Sequence, residues 1–243
     1  MSEARSDLIY DVGLFQGEDT AYYLFRGYNV VAIDANPLMI ERAKLRFSKE
    51  ILAKQLTLLN VGISRTSGTA TFWISDLPEW SSFDRTIASR DGVAHRSISV
   101  STVPFSQLLA EYGVPHYLKI DIEGNDALCV EALRGTKIPK YVSVESECVG
   151  DTAVLSDKEA VAMLKLLRDV GYQRFKLVDQ RNKLGSKLGF AFSPDSSGPW
   201  GDDIPGGWMG FEKAKSLYLR KRHSFFSQER ALYSFWNDWH ATY

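Results

Sequence analysis

The chain has 243 residues, and 29 Lys and Arg stand against 30 Asp and Glu for a formal net charge of −1 at pH 7. That length suits one large α/β domain with a substantial core and is short for two. The even charge balance excludes a global field steering the chain to nucleic acid, and no apolar run approaches the ~20 residues of a spanning helix. The polar start, Met-Ser-Glu-Ala-Arg-Ser-Asp, enters a strand at once, so no secretory leader is expected. Cys129 and Cys148 lack metal-ligand spacing and read as reduced thiols, which makes a cytoplasmic enzyme the expectation.

The first element is a buried strand, Leu8-Ile-Tyr-Asp-Val, running into a glycine turn at Asp11-Val-Gly-Leu-Phe-Gln-Gly17. A helix from Glu18 to Gly27 and a second apolar strand ending on Asp34 complete a βαβ unit. Gly13 permits a sharp turn, and Gly17 leaves no Cβ between the helix start and a ligand. Asp34 lies about twenty positions beyond the turn, where a carboxylate can take both hydroxyls of a ribose. A dinucleotide site wants G-x-G-x-x-G and a helix start open to pyrophosphate, whereas this helix opens with Glu18 and Asp19. Those carboxylates repel phosphate and suit a cofactor bearing an amine and a sulfonium. The absence of Gly-Lys-Ser/Thr after the turn excludes a P-loop. S-adenosylmethionine is the cofactor that fits, with Asp11, Gly13, Gly17, Asp34, Asn36 and Asn60 as candidate contacts. An ordinary strand-turn-helix is the plain alternative.

Further along, Pro37 opens a helix whose apolar face runs through Leu38, Ile40, Ala43 and Phe47 to Ala53. Residues 55–64 read as a third strand, and residues 69–75 and 98–103 as two strands around a polar loop. A short helix spans Phe105 to Tyr112. His116 to Ile122 is a fourth strand of the main sheet, and the helix through Asn125–Leu133 stops at Gly135. Tyr141 to Glu147 is a fifth strand. Ser156 starts an amphipathic helix that ends at Gly171. Phe175–Val178 and Leu188–Phe192 read as a closing antiparallel hairpin. The expected fold is a Rossmann-like, doubly wound α/β sheet of seven strands, the last antiparallel, with helices on both faces. The core is placed at residues 1–192. Residues 193–243 read as a Gly/Pro/Trp loop followed by two helices, Phe211–Arg222 and Phe225–Trp239, packed on the same domain.

Ligands on such sheets bind outside the carboxyl ends of the strands, which draws attention to Lys119-Ile-Asp-Ile-Glu-Gly-Asn-Asp126. Asp121 and Glu123 share the cleft mouth, and neighbouring carboxylates raise one another's pKa into the range of a usable base. Asp121 is the first candidate for that role, with Glu123 and Glu145 beside it; the plain reading has Glu123 capping the next helix. Grouped acids also suit Mg²⁺ or Ca²⁺ on a substrate diol, although no metal is expected. Trp200 and Trp208, in a loop otherwise rich in Gly and Pro, are candidate walls of an acceptor pocket; packing of the C-terminal helices is the alternative.

The motifs together resemble the FkbM-type S-adenosylmethionine-dependent methyltransferases over residues 8–147. The resemblance rests on Asp11-Val-Gly with Gly17, Asp34-Ala-Asn-Pro37, Asn60-Val-Gly-Ile-Ser64, Lys119-Ile-Asp-Ile-Glu-Gly124 and Leu133-x-Gly135. The first motif departs from the commoner Asp-x-Gly-Ala-Asn-x-Gly, with Leu14-Phe15 in place of Ala-Asn. The resemblance implies a Rossmann-like methyltransferase acting on a hydroxyl of a sugar, glycolipid or secondary metabolite. It places Ser82 near the cofactor and makes a small molecule or glycan the partner. A NAD-dependent oxidoreductase and a catalytically silent cofactor-binding relative are the alternatives.

Overall fold

The computed structural model describes residues 3–146, 155–180, 188–194, 196–227 and 235–243. Its main sheet has seven strands: β1 (Ala4–Val12), β2 (Asn29–Ile33), β3 (Leu56–Leu59), β7 (Val114–Ile120), β8 (Tyr141–Glu145), β9 (Arg174–Asp179) and β10 (Asn237–Thr242). Their order is β3-β2-β1-β7-β8-β10-β9. The first five of that order run parallel, and β10 pairs antiparallel with both β8 and β9. β1 leads to β2 on one side and borders β7 on the other. The crevice between the carboxyl ends of β1 and β7 is therefore the switch point where such sheets take ligands.

A second sheet of three strands, in the order β4-β6-β5, joins β4 (Gly62–Ile63), β5 (Gly68–Ser75) and β6 (His95–Val103). The expected third strand at 55–64 is thus split. Its first half pairs with β2 in the main sheet, and its second half pairs with β6. The loop between β5 and β6 carries a short helix, α4 (Arg85–Ala88), with tight turns at Pro78–Trp80 and Arg90–Gly92 on either side.

The sheet is buried on both faces, as parallel strands require. One face packs α5 (Phe105–Tyr112), α6 (Asp126–Glu131), α8 (Ala162–Val170) and α9 (Phe211–Ser227) over Val12, Leu118, Val142 and Trp239. The other packs α1 (Glu18–Phe25), α2 (Pro37–Arg46) and the tail around Trp200 over Ile9, Ala32 and Tyr117. Pro37 sits in the first turn of α2, and the Asn36 side chain accepts from the Leu38 amide at 3.0 Å. The helical pattern expected to run to Ala53 breaks at Phe47 (φ −113°, ψ 29°), where α3 (Ser48–Leu52) begins. Ser156 and Glu159 form a reciprocal capping box on the short α7 (Asp157–Ala160) that precedes α8.

Two sequence-based expectations are corrected. Residues 188–192 are not a strand; Phe190 and Phe192 pack against Tyr22 with ring centroids 5.2 and 4.7 Å away. The closing strand is instead β10, which takes the last three residues of the stretch expected to be a second C-terminal helix and the three that follow, and it lies inside the sheet between β8 and β9. The β10 strand is buried along its whole length even though Asn237, Asp238, His240 and Thr242 are polar, which is why it carries no apolar strand signature. Cys148 and Glu147 fall outside the described residues, and Cys129 is a buried free thiol.

Candidate active site

A cleft of about 1080 Å³ opens over the carboxyl ends of β1, β2, β7 and β8. Its floor begins at the turn after β1. The Gly13 and Leu14 amides both donate to the Ile33 carbonyl at 3.0 Å, folding the turn against the end of β2. Gly13 holds φ +92°, and a Cβ there would lie 1.8 Å from the Asp121 carbonyl oxygen, so only glycine fits between the two strand ends. Asp34 accepts from the Phe15 amide at 2.9 Å and the Asn36 amide at 2.8 Å. Burial pushes its carboxyl up to about 6. Each of its oxygens keeps a second lone pair, so a carboxylate already fixed by the backbone still faces the cleft with acceptor capacity.

Lys119, near the end of β7, is buried and joins three acids. Its Nζ donates to the Gly13 carbonyl at 2.8 Å and lies 3.4 Å from Asp11, 3.6 Å from Asp121 and 3.9 Å from Asp19. Burial opposes its charge, but Asp11, Asp121 and Asp19 outweigh that and hold the ammonium protonated. One cation thereby ties the turn, the start of α1 and the end of β7 together. Asp19, whose carboxyl burial raises to about 6, also accepts from the Ser197 amide at 2.8 Å and so fastens the tail to α1.

Beyond β7 the chain makes a strained turn. Glu123 adopts φ +50° and Gly124 φ +110°. A non-glycine residue in this region is uncommon and marks a place where surrounding structure imposes the conformation. That structure is visible: Ser82 Oγ donates to the Glu123 carbonyl at 2.6 Å, and the Asp126 carboxylate accepts from the Ile122 and Gly124 amides at 3.1 and 3.0 Å. Asp126, rather than Glu123, satisfies the amides of this turn, which leaves the Glu123 side chain in the cleft. Burial, reinforced by Asp121 and Asp126, pushes its carboxyl up to about 8. Burial also raises Glu145, at the end of β8, well above the ordinary range, with Glu123 and Asp121 adding to the effect.

Trp80, Phe83 and Ile87 roof the cleft from the second sheet's loop, and Phe235 and Trp236 close its far end ahead of β10. Eight carboxylates line the space: Glu18, Asp19 and Asp34 near β1 and β2, Glu79 and Asp91 on the roof, and Asp121, Glu123 and Glu145 across the β7–β8 end. Among the described residues only Lys119 and Arg90 oppose them, and Lys119 is already shared among three acids. Among the described residues there is no group of three or more His, Cys, Asp or Glu arranged to hold a metal ion.

The model of the methyltransferase FkbM domain matches residues 11–174, a span that includes the turn, Asp34, Lys119, Glu123 and Glu145. The chain belongs to the FkbM methyltransferase family. A solved structure similar to this FkbM domain is the crystal structure of methyltransferase FkbM from Methylobacillus flagellatus KT, with 15% identity and a TM-score of 0.46. The match covers 73% of this chain and 41% of that one. No curated protein matches the chain. Among the described residues no helix is long and apolar enough to cross a membrane.

Of the residues expected at the site of this FkbM domain, Gly13, Asp34, Asn36, Asp121, Glu123 and Glu145 line the cleft. Four expected cofactor contacts are not among the residues that line it. Asp11 is fully buried under the turn, where it accepts from Thr20 Oγ1 at 2.6 Å. Gly17 makes room for the Phe47 ring, which a Cβ would meet at 2.6 Å, rather than for a ligand. Asn60 Nδ2 donates to the Asp34 and Ala35 carbonyls at 2.9 and 3.2 Å. Ser82 holds the Glu123 turn, as described.

The two tail tryptophans expected at an acceptor wall are also placed elsewhere. Trp200 is buried and stacks on Tyr117 at 4.6 Å and 11°, with Tyr28, His116 and Tyr141 around it. Trp208 stacks on Tyr141, and its Nε1 donates to Asp202 at 2.9 Å. They pack the tail onto the body of the sheet, away from its carboxyl ends. Among the described residues of the tail, the aromatic side chains that reach the cleft are Phe235 and Trp236, within the stretch whose sequence reads as a helix. Lys119 opens the Lys119-Ile-Asp-Ile-Glu-Gly124 stretch, but its role depends on Asp11, Asp19 and Asp121, brought together from separate parts of the chain, and has no local signature.

Proposed function

We propose that this FkbM domain is an S-adenosylmethionine-dependent methyltransferase that methylates a hydroxyl of a sugar, glycolipid or secondary metabolite. The observation that carries the reading is the acid excess of the cleft at the switch point of the sheet, eight acidic against two basic side chains among the described residues, an excess that remains with Glu123 and Glu145 protonated. A pyrophosphate cofactor meets repulsion there, whereas a sulfonium and an ammonium meet compensation. The donor set therefore fits S-adenosylmethionine. Asp34 would take the ribose hydroxyls, the Gly13–Gln16 turn with Glu18 and Asp19 the methionine end, and Met39, Val61 and Phe83 the purine. When bound, the cofactor supplies a methyl group made electrophilic by its sulfonium.

The protein's own part is to hold and deprotonate the acceptor hydroxyl. Asp121 was the first candidate base, but its charge is compensated by Lys119 at 3.6 Å. Glu123, with a carboxyl near 8, is better matched to proton removal close to neutral pH, and Glu145 beside it orients the acceptor. The roof of Trp80, Phe83 and Ile87 excludes water. A cytoplasmic setting belongs to the same reading. The test is transfer of a labelled methyl group from S-adenosylmethionine to a panel of sugars, glycolipids and polyketide alcohols. Turnover of a hydroxyl acceptor is expected. Cofactor binding without turnover on any acceptor would favour a silent relative instead.

A further inference from the structure

The segment formed by α2 and α3, residues 37–54, has an apolar row on the side that the fold does not use. Its packed side is Ile40, Ala43 and Phe47, which join the core beside Val30 and Ala32 of β2. Leu38, Leu45 and Leu52 recur every seven residues, close to two helical turns. At about 100° per residue they stand about half a turn around the helix from the packed side. The Phe47 amide donates to the Ala43 carbonyl at 2.9 Å, and the Ile51 amide to the Phe47 carbonyl at 3.0 Å. Helical hydrogen bonding, and with it the phase of the row, therefore carries across the break between α2 and α3. Leu45 and Leu52 are each 83% exposed. Leu38, expected on the packed face, is also exposed and belongs to this row.

Arg42 and Lys49 fall between the leucines on the same side, each four residues after a leucine of the row. Both are exposed, and neither has an ion-pair partner among the described residues. With Lys44, Arg46 and Lys54, the segment has five basic residues against Glu41 and Glu50, in a chain whose net charge is −1. Glu41 is taken up by Lys44 at 2.6 Å. Arg46 donates to the carbonyl of Gln16, a residue of the cleft, at 2.5 Å, so the basic segment borders the cleft. Exposed leucines scattered singly need no explanation. A row of them alternating with cations gives this face both an apolar surface and a sign.

We propose that the α2–α3 face docks the protein on an anionic lipid bilayer, with Leu38, Leu45 and Leu52 at the boundary of headgroups and acyl chains and Arg42 and Lys49 against lipid phosphates. Helices that lie in the plane of a membrane combine leucines and basic residues in this way, and a negative surface complements the excess of cations. Leucines that protrude this far suit a fluid interface that closes around them, whereas a folded partner must supply a matching hollow for each. A second copy of the same face would bring like charges together. The docking goes beyond methyl transfer and does not depend on it.

The test is co-flotation of the full chain with vesicles of phosphatidylcholine alone and of phosphatidylcholine with about one-third phosphatidylserine, at about 0.1 M and about 0.5 M salt. Flotation with the anionic vesicles only, weakened at the higher salt, is expected. Arg42→Gln combined with Lys49→Gln should lower partitioning about twentyfold. Leu45→Ser combined with Leu52→Ser, which leaves the charge unchanged, should lower it about tenfold. Both variants alter exposed side chains only, and thermal melts matching the native protein verify their fold. No flotation with anionic vesicles, or flotation unchanged in either folded variant, would overturn the proposal. Binding to poly-glutamate as tight as to anionic vesicles, and indifferent to the leucine changes, assigns an acidic polypeptide instead. Self-association at rising protein concentration that the leucine variant abolishes assigns a second copy. Either of those two results also overturns the lipid assignment.

Discussion

Glu123 combines three costs that a purely structural residue would shed: a left-handed backbone, a carboxyl buried among acids, and a turn held by Ser82 and Asp126. Its carboxyl ionises near 8 in the folded protein against 4.5 in an ordinary glutamate. Between those values the folded state keeps a proton that the unfolded state releases. Its contribution to stability therefore falls as pH rises from about 4.5 to about 8 and is fully unfavourable above that. Glu123→Gln keeps the shape and removes the charge. The variant should be more stable than the native protein by about 1–3 kcal/mol at pH 8.5, with the gain vanishing near pH 4.5. Methyl transfer should fall at least about 100-fold, the usual contribution of a general base. Denaturant melts across that pH range and transfer rates would check both; a variant that loses stability at high pH would contradict the assignment. The sequence placed Asp121, Glu123 and Glu145 in one cleft because strand ends converge in a doubly wound sheet. Putting Asp121 first among them left out the ion pair with Lys119 and the burial of Glu123, which only the assembled fold supplies.

At the scale of elements, the turn after β1 is the most constrained joint of the molecule. Gly13→Ala brings a methyl group against the Asp121 carbonyl, a backbone atom that cannot swing away. A loss of about 3–5 kcal/mol is expected, compared with about 1–2 kcal/mol for Gly27→Ala, where φ is +82° but the space is open. Equal losses in urea melts would mean that the close approach of β1 and β7 is relaxed. The parallel strands were legible because strands covered on both faces read as apolar runs. β10 was not: its inward residues on one face are Asp238, His240 and Thr242, and polar residues buried in a strand defeat any pattern built on hydrophobicity. The tail tryptophans misled for a related reason. Aromatic residues in a Gly- and Pro-rich loop look like ligand platforms, yet Trp200 spends its ring on Tyr117.

Over the whole molecule, a net charge of −1 conceals a sharp separation, with the described lining of the cleft holding eight acidic and two basic side chains. Composition alone excluded a global field, and the local one emerges only when β1, β2, β7, β8 and the second sheet's loop are brought together. That local field is the central claim, because it decides between a cationic cofactor and a pyrophosphate one. The direct measurement is calorimetric titration of the full chain with S-adenosylhomocysteine, S-adenosylmethionine and NAD, on the native protein and on Asp34→Ala. The account predicts micromolar-range binding of the first two, no binding of NAD, and a loss of about 1.5–3 kcal/mol in the variant, the usual worth of hydrogen bonds to a charged group. Tight NAD binding with none of S-adenosylmethionine would contradict it and favour an oxidoreductase.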